Sequence, residues 1–198
     1  PVATFETNIR GTWLLLEAAR LTPTVRGVVV ASSEKAYGEQ RNLPYREEFP
    51  LQGRHPYEVS KSCADLIARS FAHTYGQAVA VTRCSNLYGG GDLNWNRLIP
   101  GTIRSLLQGE RPVIRSDGSF RRDYLYVADA VRGYLMLAEN LTEPGVRGQP
   151  FNLGSGCPVS ALDVVRTIVA LSGHPEWEPI ILNEVVHEIQ DEYLSPDK

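Results

Sequence analysis

Two short β-branched runs constrain this chain more than anything else in it: Arg26-Gly27-Val28-Val29-Val30-Ala31 and Ala78-Val79-Ala80-Val81-Thr82-Arg83. Neither alternates apolar with polar, so neither suits a sheet with one wet face. Runs of this kind fit strands covered on both sides, as in parallel sheets. Between them lies a surface loop over 38–54, rich in Gly, Pro and mixed charge. A long amphipathic segment follows from Pro56 to Gly76, with Ala64, Ile67, Ala68, Phe71 and Tyr75 as its expected buried stripe and Gly76 as its stop. Ahead of the first run, Thr4 to Arg20 reads as a helix. Ile9, Trp13 and Leu16 share one of its faces, and Leu15, Ala18 and Ala19 widen it. Helix, strand, helix, strand in this order predicts parallel β-α-β units with right-handed crossovers, so the fold class is α/β. Ligands of open sheets of this class bind at the C-terminal ends of the strands.

The second half is less regular. A helix is expected from Leu98 to Gln108, a short strand over 111–114 and a turn over 116–119. A strand over 121–127 leads into a helix from Ala128 to Leu141. Phe151 to Gly154 reads as a strand, and Ser160 caps a helix reaching about Leu171. The tail mixes a short apolar run, Ile180-Ile181-Leu182, with acidic residues. The 198 residues, 42% hydrophobic and 22% charged, are enough for a real core. A net charge of −3 without a basic stripe argues against a nucleic-acid partner. Cys63, Cys84 and Cys157 are odd in number and lack CxxC spacing, which predicts reduced thiols in a cytoplasmic protein. Neither they nor His55, His73, His174 and His187 have metal-ligand spacing, so no metal is expected. No apolar run is long enough to span a membrane, and no signal peptide is recognisable. The chain starts Pro1-Val2-Ala3, already in a helical pattern, and stops abruptly at Asp197-Lys198. A piece of a longer protein is the expectation.

Chemistry points first to Tyr57 and Lys61. Four residues apart at the start of the long helix, they lie on one face, one turn apart. A phenol normally loses its proton near pH 10. An ammonium close by favours the phenolate and can turn the tyrosine into a usable acid or base. A solvent-exposed helix face would give the same spacing, so the neighbours decide. Ser32-Ser33-Glu34-Lys35 follows the first strand, and Asn86 with Gly89-Gly90-Gly91 follows the second. The Tyr57 helix joins these strands, which brings its first turn to the same sheet edge.

These residues carry a resemblance. Asn8-Ile9-Arg10-Gly11-Thr12, Ser32-Ser33-Glu34-Lys35-Ala36-Tyr37-Gly38, Tyr57-Glu58-Val59-Ser60-Lys61, Arg83-Cys84-Ser85-Asn86-Leu87-Tyr88-Gly89, Arg122-Asp123-Tyr124 and Phe151-Asn152-Leu153-Gly154 occur in family order over nearly the whole chain. The sequence resembles the extended short-chain dehydrogenase/reductases, specifically the nucleotide-sugar epimerases and 4,6-dehydratases. That resemblance implies a Rossmann-type doubly wound parallel sheet, here partial, with a smaller C-terminal substrate-binding part. Residues 1–92 would belong to the NAD-binding portion and 93–198 mainly to the substrate part, with 127–156 returning to the sheet. It also implies NAD as cofactor, a nucleotide-diphosphate sugar as substrate and a homodimer formed through helices 4–20 and 56–76.

In the roles so implied, Tyr57 takes the proton of the sugar 4-hydroxyl, Lys61 bonds the nicotinamide ribose and Ser33 bonds the 4-oxygen. Ser32 and Asn8 join the cofactor side. Asn86, Arg122 and Arg97 contact the substrate phosphates. Glu34 and Lys35 separate the subfamilies, because dehydratases carry an acid–base pair here and similar epimerases carry small or uncharged residues. Ser-Glu-Lys is most similar to the arrangement in CDP-glucose 4,6-dehydratases. Glu34 would protonate the leaving 6-hydroxyl and Lys35 would act near C5. Arg122-Asp123-Tyr124 is instead as in epimerases and dTDP-sugar enzymes, which leaves the base open. Blander readings stand beside each of these. Ser33 could be a strand-end hydroxyl, Glu34–Lys35 a solvated loop pair, and either arginine a surface residue, while Tyr37 and Tyr88 are expected to pack at the strand ends. The glycines at 89–91 are not a dinucleotide fingerprint, and no G-x-G-x-x-G follows a first strand. The chain is therefore expected to carry only the nicotinamide side of a cofactor site. A 4-epimerase, or a fragment without catalysis that only binds, are the alternatives.

Overall fold

The structure is a computed structural model in which residues 1–185 and 188–198 are described; His187 lies outside them. Helix α1 is continuous through Val2–Phe5, a π-helical segment Glu6–Arg10, and Gly11–Leu21. Strand β1 (Val28–Ala31) is followed by a 3-10 turn, Glu34–Tyr37. Helix α2 (Pro56–Tyr75) leads to β2 (Val79–Cys84) and β3 (Asn86–Tyr88). Then come α3 (Leu98–Leu107), β4 (Val113–Ile114), β5 (Arg121–Arg122), β6 (Tyr124–Tyr126) and α4 (Val127–Glu139). The chain ends through β7 (Pro150–Leu153), β8 (Val159–Ser160), α5 (Ala161–Leu171), β9 (Ile180–Ile181) and β10 (Asp191–Glu192).

The main sheet is parallel in the order β1-β2-β7, with Val30 opposite Val81 and Thr82 opposite Phe151. Every residue of β2 is buried, as its unbroken apolar run predicts. In β1 only Val30 is buried, and Ala31 is exposed. The reason is position, because among the described residues β1 has a neighbour on one side only. Leu16, Val30, Ala68, Ala72, Val79 and Val81 form the core between sheet and helices. Its larger side chains each contribute on the order of 2 kcal/mol by leaving water.

Helix α2 starts and stops where its residues dictate. Pro56 occupies the first turn, where no N–H is needed. The Glu58 carboxylate accepts from the backbone N–H groups of Arg54 (2.8 Å) and His55 (3.2 Å). Gly76 closes the helix at φ 65°, in the left-handed region. The buried stripe differs from the expected one. Ser60 and Asp65 are buried together with Ala64, Ala68 and Ala72, whereas Ile67 and Phe71 are only partly buried and Tyr75 is exposed. Asp65 is inside because the fully buried Arg83 on β2 needs it; Nε donates to Oδ2 at 2.8 Å and Nη2 to Oδ1 at 3.1 Å. Tyr75 lies instead on the outer side, against Phe71 and under the Arg20 guanidinium. On α1, likewise, Leu16 is buried but Leu15 is exposed.

The second half is held by very short strands. Strand β3 pairs with β6, β4 with β9, and β5 lies between β10 and β8. The apolar run at 180–182 is thus not loose tail, since Ile180–Ile181 forms a strand beside Val113–Ile114. Ile114, Val165 and Val169 make a second core, covered by Leu98, Leu106, Leu162 and Trp177. Beyond β10 the chain meets the 38–54 loop, where Leu194 bridges Tyr45 and packs with Tyr37. This return carries Asp191 and Glu192 to the end of the main sheet.

Candidate active site

The C-terminal ends of β1 and β2 open into a cavity of about 420 Å³ lined by Ser32, Ser33, Glu34, Lys35, Tyr57, Asn86, Arg97 and others. It adjoins a larger one of about 1350 Å³, which shares Lys35, Asn86, Arg97, Leu98 and Tyr124 with it. Most of the residues singled out in the sequence therefore meet at one sheet edge.

Helix α2 is pinned to that edge through its first turn. The Ser32 hydroxyl donates to the Lys61 carbonyl (3.1 Å), and the Lys61 Nζ donates to the Ala31 carbonyl (2.9 Å). Nζ lies 5.9 Å from the centre of the Tyr57 ring, so the one-turn spacing does bring cation and phenol together. Burial holds Lys61 below the ordinary lysine range. Tyr57 is 48% exposed, and its hydroxyl has no protein partner among the described residues. Two other tyrosines here are harder to ionise than a free phenol: burial raises Tyr124, and pushes Tyr134 up to about 12. The Ser33 hydroxyl caps the 3-10 turn by accepting from the Lys35 N–H at 3.2 Å. That is the strand-end role weighed against a substrate role, yet Ser33 also lines the cavity.

Glu34 and Lys35 are not a solvated pair. Glu34 is 2% exposed; Oε1 accepts from the Asn86 Nδ2 at 2.9 Å, and Oε2 has no partner. Desolvation first, then the charges of Glu192 and Asp123, raise its carboxyl well above the ordinary range, against the opposing pull of Lys35 and Arg122. The Lys35 Nζ donates to Oε2 of the fully buried Glu192, whose Oε1 is unpartnered. Arg122 also faces Glu192, with Nε at 3.8 Å, while its Nη groups donate to the carbonyls of Arg121, Ile189 and Gln190. Arg122 lines the large cavity, and Arg97, ion-paired with Asp92 at 3.2 Å, lines both.

Asn8 is elsewhere. It donates to the Ser60 hydroxyl at 2.9 Å, tying α1 to α2, and lines neither cavity. Tyr37 packs, as expected, with its hydroxyl between Asn152 and Arg83 (2.8 Å to each). Gly89 is a close-approach point, since a Cβ there would clash with Val127 Cγ1. Sequence reasoning missed Glu192 and Asp123. Asp123 is fully buried and accepts from the Ser155 N–H (2.9 Å), the Ser155 hydroxyl (2.5 Å) and the Gly156 N–H (3.2 Å). The signal for Asp123 was its place beside Arg122; nothing local marks Glu192.

Residues 1–154 match the NAD dependent epimerase/dehydratase family. Over 165 residues the chain is 33% identical to the CDP-glucose 4,6-dehydratase of Salmonella typhimurium, which covers 78% of this chain and 46% of that protein. It spans about half the length of the curated relatives it matches. A solved dTDP-glucose 4,6-dehydratase double mutant from Streptomyces venezuelae, with NAD bound, superimposes with a TM-score of 0.84 at 29% identity, covering 97% of this chain and 58% of that one. The UDP-glucose 4-epimerase of Thermotoga maritima, with UDP-glucose, gives 0.85 at 28% identity, covering 98% and 62%. The sheet is thus of the Rossmann type found in both kinds of enzyme, and the chain belongs to the NAD dependent epimerase/dehydratase family.

Proposed function

We propose that this chain carries the catalytic residues of a nucleotide-sugar 4,6-dehydratase, which converts an NDP-hexose to its 4-keto-6-deoxy form. One observation carries the choice: a buried carboxyl, Glu34, raised by desolvation and by the charge of Glu192, faces the same cavity as Tyr57 and Ser33. Water can leave C6 only if its hydroxyl is protonated as the bond breaks, and Glu34 is an acid suited to that task. NAD supplies reversible hydride acceptance at C4 and return at C6. The residues fit its nicotinamide ribose, because an ammonium has three donors and only one Lys61 donor is taken, by Ala31.

In this reading Tyr57 takes the 4-hydroxyl proton and Ser33 bonds the 4-oxygen. Once C4 is a ketone the C5 proton is acidic, and Lys35 acts beside it. Arg97 offers donors to the diphosphate along the large cavity, and Arg122, whose donors go mostly to backbone carbonyls, lends its charge there. The reading also includes a cytoplasmic homodimer through α1 and α2, which expose Leu14, Leu15 and Leu66. No helix among the described residues is long and apolar enough to cross a membrane.

The test is to incubate the full-length protein with NAD and CDP-glucose, then dTDP-glucose. Formation of the 4-keto-6-deoxy product, read by its absorbance in base, is expected with one of them; C4 inversion alone would reject the reading. A 4-epimerase is the second reading. It is favoured by the ion pair of Lys35 with Glu192, which draws one of the three ammonium donors away from the sugar.

A further inference from the structure

Five ionisable groups from four places in the chain meet behind the small cavity. Glu34 and Lys35 come from the 3-10 turn, Arg122 from β5, Asp123 from the β5–β6 junction and Glu192 from β10. Glu34, Asp123 and Glu192 are buried. Three carboxyl groups therefore face two cations, and the cluster cannot be neutral with every carboxyl ionised. The hydrogen bonds say which one is left over. Asp123 accepts from two backbone N–H groups and a hydroxyl. Glu192 has the Lys35 ammonium and, more distantly, the Arg122 guanidinium. Glu34 has one neutral amide, from Asn86, and an oxygen with no donor at all. A buried carboxylate without a cation or donors is costly, so the proton stays there.

We propose that Glu192 is a positioning residue for the elimination step: by occupying Lys35 within the same buried cluster, its carboxylate makes Glu34 the carboxyl that carries the proton. Glu192 lines neither cavity. It acts through its two neighbours, withholding Lys35 from Glu34 and repelling a second negative charge. The repulsion has the right sign, since Glu192 is the foremost charge raising the Glu34 carboxyl, after desolvation. The other groups facing the pair are Tyr45, Tyr124, Cys84 and, across Arg122, Glu188. This inference rests on the dehydratase reading and adds to it a residue that sets the acid.

The experiment compares pH profiles of elimination for full-length wild type, Glu192→Gln and Glu192→Asp, with C4 oxidation followed separately by nicotinamide absorbance. Glutamine carries no charge, so it holds Lys35 far less strongly, loosens it toward Glu34 and removes the repulsion. The pH above which elimination falls should move down by about one unit, costing about tenfold in rate on that limb. C4 oxidation should be unchanged, and aspartate should restore the wild-type limb. An unmoved limb in Glu192→Gln, with wild-type elimination intact, overturns this inference alone. Wild type that only inverts C4 overturns the dehydratase reading and this inference with it. Should Glu192→Gln not fold, infrared difference spectra decide. A protonated carboxyl band at neutral pH that vanishes in Glu34→Gln supports the inference, and absence of that band overturns it.

Discussion

The chain buries two charge clusters, and they are built in opposite ways. Asp65 and Arg83 form a closed pair. All three guanidinium nitrogens are used, Nε and Nη2 on Asp65 and Nη1 on the Tyr37 hydroxyl and the Glu47 carbonyl, and neither residue lines either cavity of the site. The Glu34–Lys35–Glu192 cluster is open. Each glutamate keeps an oxygen without a partner, the carboxyls outnumber the cations, and Glu34 and Lys35 face a cavity. A satisfied buried pair fixes structure and leaves nothing over for a ligand. An unsatisfied one at a sheet edge retains a proton that can be given away.

That contrast can be broken by mutation, and the largest effect is expected on the open side. Glu34→Gln should cut elimination by about 10²–10⁴-fold in single-turnover assays, with C4 oxidation spared. It should not destabilise the fold, since it replaces a costly carboxyl by an amide. The sign with pH follows from the raised carboxyl. Wild type enjoys the neutral Glu34 fully below the ordinary carboxyl value and loses that advantage as pH rises toward the folded-state value. Chemical denaturation at several pH values should therefore find the variant gaining on wild type as pH increases.

Arg83→Met should do the reverse, costing about 3–5 kcal/mol of stability by stranding Asp65 in the core. Adding Asp65→Leu to that variant should recover much of the loss, because an apolar pair needs no partner. If Arg83→Met instead left stability intact, the closed pair would not be structural. Smaller effects calibrate the scale. Ser160 accepts from the Asp163 N–H at 3.1 Å to start α5, and Ser160→Ala should lower stability by about 1 kcal/mol in the same denaturation measurement. The exposed pair Arg166–Glu178, at 3.0 Å, should be worth under about 1 kcal/mol in a double-mutant cycle, and less in high salt.

The same contrast explains what could be read in advance. The partners Tyr57 and Lys61 are local, one helical turn apart, and their meeting follows from spacing alone. The buried faces of α1 and α2 were legible only in part. Leu15 and Tyr75, read as core, are exposed, while Ser60 and Asp65, polar and outside the expected stripe, are inside. Periodicity reports how apolar a face is. It cannot report that a strand elsewhere carries an arginine which makes an aspartate welcome there. Asn8 was attached to the cofactor by resemblance; what its side chain does in the fold is donate to Ser60 across two helices.

By itself the sequence determined the β1-α2-β2 unit, from two runs too apolar to face water and a helix with Pro56 at its start and Gly76 at its end. It also determined which residues crowd the strand ends. Only the tertiary structure decided which carboxyl of the site keeps its proton. That depends on Glu192 meeting Lys35 from 157 residues away, on a two-residue strand with no periodicity to announce it. Protonation is set by burial and by net charge in three dimensions, and neither quantity is local in the chain.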